Sequence, residues 1–252
     1  MAELGGLVDL HSHILFRFDD GAKNIEESLE LLRALEKSGF VHAVLTPHYI
    51  KGVYEADTNE VEARTNALKE ACSKENLKIE LSFAAEYFLD SSVLDLVDSN
   101  KALFVNPKNK TLLVQAPMLK MPNYTKQLAF ELKLRRIVPI IVHPERYTDV
   151  AKKPQRIKDF LEAGFLVQLN LGSFGGLYGE KIRLAAEKII RFGLAHFVAT
   201  DLHAPHHIET ILNRGLARLL QLEKDDGTRR LISENPMKVI KGEDVSDLIW
   251  GE

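Results

Sequence analysis

The chain has 252 residues, of which 45% are hydrophobic and 27% charged. That is ordinary globular composition, and it excludes intrinsic disorder, a collagen-like repeat and a coiled coil. With 33 basic and 36 acidic residues the net charge is −3 and no Lys/Arg block stands out. A nucleic-acid partner, whose phosphates need cationic neutralisation, is therefore not expected.

The single cysteine, Cys72, excludes an intramolecular disulfide and a thiolate metal cluster, and it lies in a helical stretch with no base beside it. The opening MAELGGLVDLH lacks a basic start and an apolar run, so secretion is not expected. No apolar run approaches the roughly 18 residues of a membrane span. The expectation is a cytoplasmic, single-domain protein over residues 1–252, without membrane insertion.

From the amino end, strand Leu7–Leu10 leads into His11 and His13. Helix Ile25–Ser38 follows, with Ile25, Leu29, Leu32 and Leu35 at the helical period. Strand Ala43–Thr46 precedes His48 and helix Asn59–Lys74. Strand Ile79–Ala84 precedes Glu86 and helix Ser92–Ser99. Strand Thr111–Val114 runs into Gln115 and helix Tyr124–Arg135, and strand Val138–Val142 into His143 and helix Pro154–Ala163. Strand Leu166–Leu169 ends at Asn170 before helix Lys181–Phe192. Strand Phe197–Thr200 then leads to Asp201, His203 and helix His207–Gln221. Gly39, Gly164 and Gly193 follow three of the helices, where left-handed C-caps belong.

Seven strand–helix units with short, continuously apolar strands predict an α/β fold with a parallel sheet covered by helices. A glycine-rich phosphate loop is missing after the first strand, where His-Ser-His stands, which argues against a dinucleotide-binding open sheet. We expect a closed or nearly closed barrel of seven units, with residues 228–252 (Thr228–Trp250 as short helices) as a C-terminal extension.

The polar residues recur at one place in this pattern. His11, His13, His48, Glu86, Gln115, His143, Asn170, Asp201 and His203 all stand at or just after strand ends. In a (β/α) barrel those ends converge on one pocket. Taken singly, each has a plain reading: a satisfied loop histidine for His48, a carboxylate emerging into solvent for Glu86, a helix cap for Asp201. Their recurrence favours a shared site. Imidazole and carboxylate without thiolate suit Mn, Zn or Fe better than Mg. Five histidines and at least two carboxylates exceed one tetrahedral ion, so a multinuclear hydrolytic centre is expected.

Arg146, three residues after His143, should overhang that pocket as a phosphate-binding fork; paired with Glu145 or Asp149 it would be a loop arginine only. Arg17 and Lys51 carry a weaker version of the same signal. His42 and His196 lie near strand starts and are expected to be structural, whereas His206 and His207 should be exposed near the pocket rim.

The motifs VDLHSHILFRFDDGAKNIEESL, TPHYIKGVY, AAEYFLD, HPERY, LVQLNLGS and ATDLH resemble the polymerase-and-histidinol-phosphatase (PHP) superfamily. Within it they are most similar to the manganese-dependent bacterial protein-tyrosine phosphatases of the CpsB/YwqE type, over roughly Val8 to His203. The resemblance implies a distorted (β/α)7 TIM-like barrel with two to three metal ions, Mn2+ first and Fe or Zn as alternatives. It places His11, His13, Glu86 and Asp201 around one metal, Glu86 and His143 at a second, and Asp20, His48 and His203 at a third. It also implies a substrate-binding Arg146, a metal-bridging hydroxide as nucleophile with Asp20 and His48 in the catalytic set, and phosphotyrosine on a bacterial tyrosine kinase of capsular or exopolysaccharide synthesis as substrate.

Two departures stand out. Gln115 occupies a position where the family usually has a carboxylate. No arginine follows Asp201-x-His203 until Arg214, so His206 or His207 is a candidate replacement contact. A small phosphate ester of the histidinol-phosphate kind, or a metal-binding regulator with attenuated catalysis, are the alternative functions. Helix faces such as Ile25–Ser38 leave self-association open.

Overall fold

The computed structural model describes residues 6–55, 57–119, 121–245 and 248. Of the expected C-terminal extension, residues 246, 247 and 249–252 lie outside the described residues, as do residues 1–5 of the expected single domain.

The chain alternates strands and helices. In order these are β1 (Leu7–Ser12), α1 (Ile25–Lys37), β2 (Phe40–Leu45), β3 (His48–Tyr49), α2 (Thr58–Lys74), β4 (Glu80–Phe83), β5 (Glu86–Phe88) and α3 (Ser92–Asp98). Then come β6 (Thr111–Gln115), α4 (Thr125–Leu134), β7 (Val138–Val142), α5 (Thr148–Lys152), α6 (Ile157–Glu162), β8 (Leu166–Asn170), α7 (Leu171–Gly175) and α8 (Glu180–Arg191). β9 (Phe197–Ala199), α9 (Leu216–Arg229) and α10 (Asn235–Lys241) complete the chain.

All strand pairings are parallel, as the apolar strand pattern predicts, but they form two sheets instead of one ring. Three strands run β1-β2-β4 and six run β3-β5-β6-β7-β8-β9. The extra strands, β3 and β5, lie just beyond the expected second and third strands, Ala43–Thr46 and Ile79–Ala84, and each continues its predecessor after a short break. Thr46-Pro47 separates β2 from β3, since proline has no N–H for the ladder, and Ala84-Ala85 separates β4 from β5. Hydrogen bonds still cross both breaks, from Ala84 N to Leu45 O (2.9 Å) and from Glu86 N to Pro47 O (3.1 Å). At the other seam Asp201 N donates to His11 O (2.9 Å) and His13 N to Leu202 O (3.0 Å). There the buried Asp9 carboxylate also accepts from Thr200 N at 2.8 Å and Thr200 Oγ1 at 2.5 Å.

The sheets bury apolar side chains on both faces. Leu7, Leu45, Leu112, Val114, Ile141, Val167 and Leu169 meet the helices. Val8, Leu10, Val44, Leu113, Ile140, Val142, Leu166 and Phe197 form a second cluster that includes Val239 of α10. The C-caps at Gly39, Gly164 and Gly193 are left-handed, with φ of 94°, 92° and 66°.

The expected helix His207–Gln221 differs from the structure. A 3-10 turn (Pro205–His207) and a π-helical segment (Glu209–Gly215) precede α9, which runs on to Arg229. The π segment lies backbone to backbone against α7. A Cβ on Gly175 would sit 2.0 Å from Thr210 O, and one on Gly215 would sit 2.4 Å from Leu171 O.

α10 is tied down by polar side chains. Asn109 Nδ2 donates to Val239 O (3.1 Å), Asn106 Nδ2 to Ile240 O (2.6 Å), and Asn235 Nδ2 to His196 O (2.9 Å). The His196 ring accepts from Val167 N at 2.9 Å, the structural role expected for it. Burial pushes its pKa down to about 4. An imidazole depressed in the folded state stabilises the fold above the unfolded pKa of about 6.5, and that contribution is lost as pH falls toward the folded value. His196→Asn keeps an acceptor for Val167 and removes the titration. Its thermal midpoint should fall less than that of the wild type between about pH 7 and about pH 5; equal falls would show that His196 does not carry the effect.

Candidate metal centre

The site begins with an irregularity in β1. Its register against β2 shifts between Asp9 and Ser12. Val8 and Leu10 face the second apolar cluster, so strict alternation would send His11 and His13 to the opposite side. The bulge re-aims them, and both rings are fully buried with Nε2 atoms 3.1 Å apart. Each ring is fixed through Nδ1: His11 donates to Gln168 Oε1 (2.9 Å) and His13 to Asp19 Oδ2 (2.6 Å). The Nε2 lone pairs are left facing one another and the site. Asp19 also accepts from His48 N and Gly21 N. The glycine of Asp19-Asp20-Gly21 is required by close approach, because a Cβ there would lie 2.0 Å from His13 O.

Glu86, fully buried at the start of β5, reaches four imidazoles. Its carboxylate stands 3.5 Å from His11, 3.3 Å from His13, 2.7 Å from His48 and 3.0 Å from His143. Asp201 Oδ1 lies 3.6 Å from His11 Nε2 and 3.4 Å from His13 Nε2. His48 Nε2 and His203 Nε2 each lie 3.6 Å from Asp20 Oδ1, at the exposed edge. Three overlapping groups could hold cations: His13, Asp20, His48 and His203; His11, Glu86 and His143; and His11, His13 and Asp201. The structure thus places His13 with the group expected of Asp20, His48 and His203, and shares His11 between the other two.

These atoms fit metal ions better than they fit one another. Ligands about 2.1 Å from a common ion stand about 3.0–3.4 Å apart, close to the spacings found. His48 Nδ1, Glu86 Oε2 and His143 Nδ1 are buried without a hydrogen-bond partner, although His48 Nδ1 and Glu86 Oε2 are 2.7 Å apart: two lone pairs converge there without a proton between them in line. Charge tells the same story. Burial opposes ionisation of Glu86, yet His11 and His48 hold it well below its ordinary range. Burial likewise opposes protonation of His11, and Glu86 and Asp201 raise its pKa nonetheless. The pocket favours positive charge.

Two ligand candidates sit on left-handed backbone, His143 at φ 38° and Asp201 at φ 52°. Non-glycine residues adopt that region at a cost, and it gathers at functional sites. After His143 the 3-10 turn Pro144–Arg146 carries Arg146 back over the site. Its Nη1 donates to Asp201 Oδ2 at 3.1 Å, and its guanidinium lies 4.2 Å from the Tyr178 ring centre.

The partners suggested for a plain loop arginine are engaged elsewhere. Glu145 turns inward to accept from Asn170 N (2.9 Å) and Ser173 Oγ (2.6 Å), and burial raises its pKa to about 7. Asp149 pairs with Arg156. Arg146 lines a cleft of about 600 Å³ together with Gln115, His143, Asp201, His203 and Phe88. His206 and His207 line its rim, with His206 exposed.

Arg17 and Lys51 do not line the cleft: Arg17 is exposed and donates to Lys23 O, and Lys51 is exposed in the turn after β3. His42 hydrogen-bonds Ser82 (2.8 Å) away from the site. Cys72 is buried, and desolvation pushes its thiol up to about 11, which makes it a poor nucleophile.

Sequence reasoning missed Asp19, Gln168 and Tyr178. Asp19 was signalled by the Asp19-Asp20 doublet, of which only the second member was chosen. Gln168 precedes the strand-end Asn170 by two residues, so both share a face of β8; that alternation could have revealed it. Tyr178 had no signal, since it lies in a loop eight residues beyond the strand.

The capsular polysaccharide synthesis family CpsB/CapC matches residues 7–241. This chain belongs to the CpsB/CapC family. Among its relatives, the putative tyrosine-protein phosphatase CapC of Staphylococcus aureus is 29% identical over 252 residues, covering 97% of this chain and 98% of that one. The tyrosine-protein phosphatase YwqE of Bacillus subtilis (strain 168) is 27% identical over 241 residues, with 95% and 93% covered. Among solved structures, a chain from the crystal structures of YwqE from Bacillus subtilis and CpsB from Streptococcus pneumoniae, unique metal-dependent tyrosine phosphatases, matches with a TM-score of 0.87 at 26% identity, covering 95% and 96%. A lactonase from Listeria monocytogenes shares the fold at a TM-score of 0.54 and 12% identity.

Within this CpsB/CapC site, Asp19 holds the His13 ring through a charged hydrogen bond. Burial opposes its ionisation, but His13 and the amides of His48 and Gly21 outweigh that and keep the Asp19 pKa at about 2. Removing such an outer partner typically costs about 10–100-fold in metal affinity. Asp19→Asn should weaken divalent-metal binding by that order in a chelator competition, and unchanged affinity would mean that the contact does not orient a ligand.

Proposed function

We propose that this chain is a metal-dependent phosphomonoesterase acting on phosphotyrosine in proteins, as its CpsB/CapC relatives' names describe. The observation that carries the proposal is the meeting of three overlapping groups that could hold cations with one arginine fork, at a cleft lined by Asp20, His48, His143, Asp201, His203 and Arg146. His11, His13, Asp20, His48, Glu86, His143, Asp201 and His203 would hold two to three ions. Manganese is the metal we propose, because imidazole and carboxylate without thiolate match it; iron and zinc share that preference. When bound, such ions supply Lewis acidity toward a phosphoryl oxygen and lower the pKa of water.

The protein's own residues do the rest. Arg146 offers its planar fork to the phosphate oxygens. Glu86 and Asp201 concentrate negative charge, which favours the cations. Phe88, Pro117 and Met118 form an apolar wall of the cleft, suited to an aryl ring. Asp20 and His48 stand at the exposed edge, where a leaving group would meet solvent. Gln115 lines the same cleft as a neutral amide, offering a carbonyl oxygen without negative charge.

We further infer that the two sheets and the Asp9–Thr200 seam form the wall of a distorted seven-unit barrel. β2 with β3, and β4 with β5, each serve as one broken stave. The substrate would be a cytoplasmic bacterial tyrosine kinase of capsule or exopolysaccharide synthesis. Among the described residues, no helix is long and apolar enough to cross a membrane.

Phosphate release from a phosphotyrosine peptide by metal-stripped protein tests the reading. Turnover should appear on addition of manganese and disappear with chelator; a folded protein that stays inactive at every manganese concentration would exclude it. Arg146→Ala should lower kcat/KM by about 10- to 100-fold, the loss of a charged bidentate contact. An unchanged kcat/KM would remove Arg146 from the phosphate site.

A further inference from the structure

Tyr178 has no part in the chemistry above, yet it touches two of its members. It lies in the loop between α7 and α8, flanked by Gly176 at φ 83° and Gly179 at φ 89°. These left-handed positions turn the chain so sharply that residue 178 returns to the carboxyl ends of β8 and β9. Its hydroxyl lies 3.3 Å from Asp201 Oδ2 and 3.4 Å from Asn170 Nδ2. The guanidinium carbon of Arg146 sits over its ring, 4.2 Å from the ring centre.

Asp201 consequently has two unlike sides. Oδ2 accepts from Arg146, Asn170 and Tyr178, whereas Oδ1 faces His11, His13 and His203. Arg146 is held at one nitrogen by Oδ2, its guanidinium carbon lies over the ring, and 27% of its side chain is exposed, lining the cleft. A guanidinium recognises a phosphoryl group through the edge of its plane. Fixing one nitrogen leaves that plane free to swing about the remaining contact, and a face-on aromatic ring stops the swing.

We propose that Tyr178 is a positioning residue for phosphate recognition: its ring fixes the plane of the Arg146 guanidinium so that the free edge faces a phosphoryl group in the cleft. The role belongs to the ring, and the hydroxyl serves Asp201 separately. This rests on the phosphatase reading only for the identity of the ester. The phosphate-binding part stands without it.

The test uses the full chain loaded with manganese, measuring inorganic phosphate binding by calorimetry, phosphotyrosine-peptide turnover, and manganese content. Tyr178→Leu should weaken phosphate binding and raise KM by about tenfold, with a smaller fall in kcat. Tyr178→Phe should restore both to within about threefold of wild type, since it keeps the ring. In an Arg146→Ala background, Tyr178→Leu should add less than about twofold, because the partner it orients is gone. Tyr178→Met, close to the native volume but without a ring, repeats the measurement if the leucine variant does not fold.

Three results would overturn the proposal. Unchanged phosphate binding in both the leucine and methionine variants is one. Equal losses in the phenylalanine and leucine variants, accompanied by reduced manganese content, would assign the effect to the hydroxyl on Asp201. Full additivity with Arg146→Ala would show that the ring acts elsewhere. A wild type that binds phosphate but hydrolyses no phosphotyrosine would instead overturn the substrate assignment, with the platform still decided by the phosphate measurements.

Discussion

A carboxylate buried without solvent carries a desolvation penalty of several kcal/mol unless opposite charge surrounds it. Glu86 is such a group, fully buried and within 3.5 Å of four imidazoles. The fold keeps it there by bringing imidazoles to one point from β1 (His11), the residue just after it (His13), β3 (His48) and the end of β7 (His143). Protons on the histidines or cations between them both satisfy that demand. The spacing of the lone pairs and the unpartnered atoms His48 Nδ1 and His143 Nδ1 favour cations. The remaining features of the centre follow from holding those ligands still.

Holding them still is the task of a second layer of polar side chains. Gln168 bridges His11 to Asn170, Asn170 reaches Asp201, and Asp19 locks His13 while pinning the turn to His48. The bonds to His11 and His13 fix Nδ1 as donor, and so fix Nε2 as the nitrogen that faces the site. Buried networks of this kind specify one geometry because a half-made version leaves costly unsatisfied groups. The Asp9–Thr200 link works at a larger scale. It fastens β1 to the residue that follows β9, two residues before His11 and one before Asp201, so that these two, 190 residues apart, are held in register by the adjacent backbone hydrogen bond.

Much of this was legible beforehand. Three-residue and four-residue apolar spacing gave α1, and continuous apolar runs gave β1, β6, β7 and β8 nearly to the residue. Those signals depend on local burial, which the sequence writes directly. The short strands β3 and β5 were harder to see. The expected strands end at Thr46 and Ala84, and two- and three-residue pairings beyond them carry too few residues for an apolar pattern to show. The π-helical entry to α9 was invisible because its cause is a backbone contact with α7, made possible by Gly175 and Gly215 in segments 40 residues apart.

The sequence by itself determined the alternating parallel α/β plan, the strand ends that carry the histidines and acids, and the resemblance that joins them to a phosphatase family. Chain-local chemistry suffices for these, because side-chain type and spacing are sequence properties. Only the tertiary structure decided which atoms meet. The bulge that turns His11 and His13 inward, the sharing of Glu86 among four rings, the choice of Asp19 as the partner of His13 and the seat of Arg146 on Tyr178 all depend on ångström-scale register between distant strands. Such register is fixed by packing and hydrogen bonding across the whole molecule, and no residue carries it alone.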